Sequence, residues 1–172
     1  MLERVLTPTS YIVLGLLQFE PGTPYDLKTR VAATLGNFWS VQHAQLYTET
    51  ARLAEEGLLD EHREIEGRRR KTYSITDAGS QVLEDWLETP TSELTELRDL
   101  SMLKVFFGAD LEMLAPAQLE AHRAKVAEYE AIHEQLEGAA DIPRGMLITL
   151  EVGIKHEREA VRFWASHLGS TD

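Results

Sequence analysis

The sequence predicts a mainly α-helical fold with one small β-hairpin. It divides into an amino-terminal unit over residues 1–89 and a wholly helical unit over residues 90–172. Three observations predict this. Apolar residues recur at helical spacing along most of the chain. Two short β-patterned runs flank one charged, glycine-containing turn. Thr, Pro and Ser cluster at Glu88-Thr-Pro-Thr-Ser92, a linker signal between two periodic regions.

The elements follow in order. Residues 9–19 are nearly all apolar and predict a helix buried on most sides. Thr23-Pro24-Tyr25-Asp26 opens a second helix: Thr as N-cap, Pro at the first helical position, Asp three residues after the cap. Gly36 stops it. Ser40 is the expected cap of a third helix that ends at Gly57. Leu46, Thr50, Leu53 and Ala54 give that helix a buried face. Residues 58–65 and 71–75 read as two strands joined by Glu66-Gly67-Arg68-Arg69. Thr76-Asp77 caps a fourth helix through Leu87. In the second half, residues 94–107 form one predicted helix and Pro116 opens another. Residues 146–168 form the last, with Leu147, Leu150, Ile154, Glu157, Val161, Trp164 and Leu168 in a heptad a/d pattern. That stripe needs a partner helix, from the same chain or a second copy. We assign Leu147, Leu150, Ile154, Val161, Trp164 and Leu168 to a dimer interface. Trp164 either packs, in the core or in this interface, or lines a pocket for a hydrophobic effector; packing is the plainer reading.

Composition narrows the function. With 43% hydrophobic residues among 172, the chain has material for a core, which excludes general disorder. It has no cysteine, which excludes a disulfide framework, a thiolate metal site and a thiol nucleophile. The apolar run 11–17 is too short to cross a bilayer and lacks a small-residue cleavage site, so a soluble, cytoplasmic protein is expected. The net charge of −12 argues at first sight against nucleic acid. Residues 1–89 hold 9 basic and 14 acidic residues, and residues 90–172 hold 8 and 15. One segment is the exception: residues 63–71 carry five basic residues against two acidic ones, with Arg68, Arg69, Arg70 and Lys71 consecutive.

Helix, helix, turn, third helix and a hairpin with a basic tip is the order of a winged helix-turn-helix domain, here followed by a C-terminal helical, coiled-coil-like domain. With Leu46 placed in the core, the outer face of the third helix carries Ala44, Gln45, Thr48, Ala51 and Arg52, with Tyr47 flanking. Two alanines permit close approach in a groove. Gln45 and Thr48 suit base edges, and Arg52 suits guanine or phosphate. A plain polar face accounts for the helix alone, but the basic wing favours DNA. Tyr73 is expected to pack within its strand.

The stretch Phe38-Trp-Ser-Val-Gln-His-Ala-Gln-Leu-Tyr47, with Arg52-Leu-Ala-Glu-Glu-Gly-Leu-Leu59, resembles the recognition-helix signature of the PadR family of transcriptional regulators. Gly22-Thr-Pro-Tyr-Asp-Leu27 and Tyr73-Ser-Ile-Thr-Asp-Ala-Gly79 resemble its neighbouring blocks. Leu97-Arg-Asp-Leu-Ser-Met-Leu-Lys-Val-Phe-Phe107 resembles the opening of its helical C-terminal domain. The resemblance implies a homodimeric regulator, usually a repressor, on a pseudo-palindromic operator, with hydrophobic or aromatic effectors in some members. It implies Gln45 and Tyr47 at the DNA surface and a wing at residues 68–71. The sequence departs from the family at Ala44, Thr48 and Thr50, where Gly, Pro and Leu are usual, so an operator sequence does not carry over.

The expected DNA-binding residues are therefore Gln45, Tyr47, Thr48, Arg52, Arg68, Arg69, Arg70 and Lys71. No enzyme, cofactor or metal is expected. Glu130-Ala-Ile-His133 is a lone Glu-x-x-His, where a di-iron bundle needs two. His43 is expected to pack or cap, and the segment at His156 lacks the zinc-protease pattern. No phosphate loop, dinucleotide fingerprint or nucleophile elbow is present. The alternative reading is a winged-helix protein-interaction module without DNA binding, which the acidic total favours and the basic wing opposes.

Overall fold

The structure is a computed structural model that describes residues 5–36, 38–63, 70–96, 98–139 and 142–168. The chain divides into two compact units, Met1–Glu93 and Leu94–Asp172. The first contains α1 (Pro8–Phe19), α2 (Pro24–Ala33), α3 (His43–Glu55), β1 (Leu59–Arg63), β2 (Lys71–Ile75) and α4 (Asp77–Glu88). The second contains α5 (Leu100–Phe106), α6 (Leu111–Glu137) and α7 (Arg144–Ala165).

In the first unit, α1 buries Val13, Leu14, Leu16 and Leu17 in one core with Leu27 and Val31 of α2 and Leu46 and Leu53 of α3. Leu59, Tyr73 and Leu83 complete that core. The expected box at α2 forms: Thr23 accepts from the Asp26 backbone at 3.2 Å, and Asp26 accepts from the Thr23 backbone at 2.8 Å. These bonds to the Thr23 backbone and hydroxyl hold the Asp26 carboxyl below its usual range. Helix α3 starts later than Ser40 suggests. Val41 packs against the core, so residues 39–42 run outside the helix and Gln42 takes the N-cap position without a side-chain cap bond. His43 is exposed there rather than packed. Gly57, at φ +76°, supplies the left-handed residue that ends the α3 region.

Strands β1 and β2 pair antiparallel, with Leu59 opposite Ile75 and Arg63 opposite Lys71. Gly22 adds a one-residue bridge to Tyr73, through backbone bonds of 3.0 and 2.9 Å. Thr76 caps α4: its hydroxyl accepts from Gly79 N at 3.0 Å and donates to the Gly57 carbonyl at 2.9 Å. It thus joins the end of the α3 turn to the start of α4. Replacing Thr76 with Ala breaks both bonds and should cost about 1–2 kcal/mol, read as a lower midpoint in urea unfolding.

The second unit differs from expectation in three places. The helix expected over 94–107 spans only α5, because Asp99 Oδ1 accepts from the backbones of Ser101 and Met102 at 2.7 and 3.1 Å. Helix α6 begins five residues before Pro116: Asp110 Oδ1 accepts from Glu112 N at 2.9 Å, and Pro116 lies inside the helix. The earlier start brings Leu111, Leu114 and Ala115 into contact around Trp164. Third, the α7 stripe is covered within the chain in part. Trp164 is 1% exposed, packed with Ala115 and Leu119 of α6, and Ile154 is buried. Residue 122 of α6 meets 157 of α7, with His122 Nδ1 2.5 Å from Glu157 Oε2. Trp164 and Ile154 are therefore buried within the single chain, Trp164 in the helical hairpin core. Leu147, Leu150 and Val161 are half-buried, and Leu168 is exposed. Among the large apolar residues left exposed are Ile148, Val152 and Phe163 on α7, and Leu100, Leu103 and Phe106 on α5.

Candidate nucleic-acid interface

The outer face of α3 is held out by its inner one. Leu46, Thr50 and Leu53 are buried, which turns Gln45, Tyr47 and Thr48 to solvent. Tyr47 is 51% exposed despite its size. The Thr48 hydroxyl donates to its own helix at Ala44 O, 3.1 Å away, and retains acceptor capacity outward. Thr50 is fully buried, and its hydroxyl donates to Leu46 O at 2.9 Å, so a polar residue in the core leaves no unpaired donor.

Tyr47 and Ala51 form one wall of a cleft of about 750 Å³. Arg70, Lys71 and Tyr73 supply a second wall from the base of the hairpin. The start of α2, Thr23 to Asp26, supplies the third. The structure thus brings Tyr47, Arg70 and Lys71 to one side of the unit. Arg68 and Arg69 lie outside the described residues. The α2 contribution is absent from the sequence-derived set; its capping box marked where the helix begins but not that Tyr25 would stand beside Tyr47.

Two cations of the basic segment, Lys71 from the expected set and Arg63 beside it, are already partnered. Lys71 Nζ is 2.9 Å from Glu61 Oε2, and Arg63 Nε is 2.7 Å from Glu61 Oε1. Hydrogen bonds from Arg63, Lys71 and Tyr73 hold the Glu61 carboxyl down to about 2. Arg52 departs further from expectation. Its guanidinium turns to the flank of α3 facing α1, with Nη2 2.5 Å from Glu49 and 3.1 Å from Ser10 Oγ, and Nη1 2.7 Å from Glu56. It closes an internal ion pair and does not join the outward face with Tyr47 and Thr48.

Residues 13–85 match the model of the transcriptional regulator PadR-like family. Residues 97–168 match the model described as virulence activator alpha C-term. The negative transcriptional regulator PadR of Bacillus subtilis (strain 168) is 30% identical over 175 residues, covering 94% of this chain and 96% of the relative. The chain belongs to the PadR-like family of transcriptional regulators. Bacillus subtilis PadR in complex with operator DNA aligns with a TM-score of 0.82 at 28% identity, over 95% of this chain and 97% of that one. The same protein in complex with p-coumaric acid aligns with a TM-score of 0.77 at 27% identity, over 94% and 96%. The winged helix-turn-helix and the C-terminal helical region are thus the PadR architecture. Within this PadR-like chain, the three departures read at sequence level fall in two settings. Ala44 and Thr48 lie on the exposed face of α3, whereas Thr50 lies in the core with its hydroxyl satisfied. Among the described residues, no helix is long and apolar enough to cross a membrane.

Proposed function

We propose that this PadR-like chain is a cytoplasmic, sequence-specific DNA-binding repressor that acts as a homodimer on a pseudo-palindromic operator. Residues 1–89 bind DNA and residues 90–172 dimerise. One observation carries the reading: the exposed face of α3 and the cations at the hairpin base border one cleft on one side of the fold. That is the disposition in which a recognition helix enters a major groove while a wing reaches the flanking backbone. The relative seen with operator DNA, and the negative regulator among the curated relatives, support it. Gln45, Tyr47 and Thr48 face bases, and Arg68, Arg69, Arg70 and Lys71 face phosphates. The relative seen with p-coumaric acid supports release by a small aromatic or hydrophobic effector. The regulators among its relatives support a binding role rather than an enzymatic one.

The second copy docks through the helical unit. Exposed apolar side chains on α5 and α7 supply a surface for it beside the stripe whose Ile154 and Trp164 are buried within the chain. A monomeric mass in solution at micromolar concentration overturns the dimer.

Selection of bound duplexes from a random pool tests the whole reading. It should return two half-sites about one helical turn apart. Replacing Arg68 and Arg69 together with Ala should weaken binding to every sequence and lower the salt slope by about 2. Replacing Gln45 with Ala should instead change which bases are selected. Binding that survives the double wing change with the same slope overturns the wing assignment. A chain that selects no DNA leaves the protein-interaction module.

A further inference from the structure

The polar cluster between α1 and α3 has geometry beyond what packing needs. Ser10 Oγ is completely buried and accepts from Thr7 N at 2.8 Å, so the first turn of α1 fixes its position. It donates to Glu49 Oε1 at 2.5 Å. Glu49 accepts two bonds from Arg52, and Arg52 Nη1 reaches both oxygens of Glu56, at 2.7 and 2.9 Å. Burial opposes the Glu49 charge, but hydrogen bonds from Arg52 and Ser10 outweigh it and hold the carboxyl below its usual range. Arg52 is thereby fastened at Nε, Nη1 and Nη2.

The location gives this cluster a functional meaning. Gln45, Glu49, Arg52 and Glu56 fall at i, i+4, i+7 and i+11, one row along α3 and its C-cap. Gln45 lies at the amino-terminal end, which enters a major groove first. A free guanidinium on that row would attract any phosphate, whatever the base sequence. Instead, two carboxylates flank it, and Ser10 braces the nearer one.

We propose that Glu49, braced by Ser10, withholds Arg52 from DNA, and so sets how strongly the chain discriminates its operator from bulk DNA. Glu49 and Ser10 are positioning residues: they act through Arg52 and touch no DNA. The inference rests on the DNA-binding reading above. In a chain of net charge −12, non-specific attraction is weak. One released cation on the recognition helix therefore changes the balance appreciably.

The test compares affinities for the selected operator and for a random duplex over 50–200 mM salt. Glu49→Gln should raise affinity for the random duplex and steepen its salt slope by about 0.9, or about 3.5-fold more loss of binding across that range. The operator-to-random ratio should fall. Arg52→Gln on the unmodified background should leave both slopes as they were. Adding Arg52→Gln to Glu49→Gln should return the slope to its starting value, which a merely structural effect of Glu49 would not do. An unchanged slope in Glu49→Gln overturns the proposal, as does a slope flattened by about 0.9 in Arg52→Gln alone. Should Glu49→Gln not fold, as judged by far-ultraviolet circular dichroism, the Arg52→Gln slope decides by itself. If the unmodified protein binds neither duplex, the DNA-binding reading fails, a result distinct from all of these.

Discussion

Trp164→Ala should lower the stability of the helical unit by about 3–5 kcal/mol, the range for removing a large aromatic side chain from a closed core. Trp164 is 1% exposed and packs with Ala115 and Leu119, with Met102, Leu111, Leu114, Ala160 and Val161 around it. Several of these neighbours are alanines or residues fixed in α6, so the space left by the indole cannot be refilled by small rotations. Its effect separates the two roles open to this stripe. As a core residue, Trp164 sets the unfolding midpoint. As an interface residue, it would set the concentration dependence of the mass. The expected result is a large shift in the urea midpoint at all protein concentrations. A normal midpoint with a protein that has become monomeric would return Trp164 to the interface.

Gly79→Ala should destabilise the amino-terminal unit by about 3 kcal/mol, although helix propensity alone predicts a gain of about 1 kcal/mol. Gly79 lies in the first turn of α4, where alanine has no backbone difficulty. The obstacle is tertiary. A Cβ there would overlap the Leu58 carbonyl oxygen and stand 2.9 Å from Ile75 Cγ1. The Leu58 carbonyl cannot move aside cheaply. It accepts from Thr76 N at 3.2 Å, and Leu58 N donates to Leu53 O at 2.9 Å. Moving it strains the α3 turn and the start of the hairpin together. Thermal unfolding of the variant reads the outcome, and a midpoint equal to or above that of the unmodified protein would show that the close approach is relieved.

Much of the fold was legible in local sequence. The capping box at Thr23 and Asp26, the Thr76 cap and the hairpin between Leu59 and Ile75 each depend on residues close in sequence. The candidate site was legible in part. The buried stripe of α3 correctly turned Gln45, Tyr47 and Thr48 outward, because helix geometry relates neighbouring residues by a constant angle. Arg52 was assigned by the same geometry and went elsewhere, because its fate depended on Ser10, 42 residues away. Tyr25 was missed for a similar reason: nothing local to α2 places it beside Tyr47.

By itself, the sequence determined which segments form helices or strands, where the basic run falls and which faces are apolar. Backbone hydrogen bonding and side-chain periodicity settle those matters over a few residues. Only the tertiary structure decided the partners. It gave Trp164 of the α7 stripe to α6 of the same chain, Arg52 to Glu49 and Glu56, and the space beside Gly79 to a backbone carbonyl. Apolar burial is non-directional and any complementary surface satisfies it, whereas an ion pair or a close backbone contact exists only after distant segments have met.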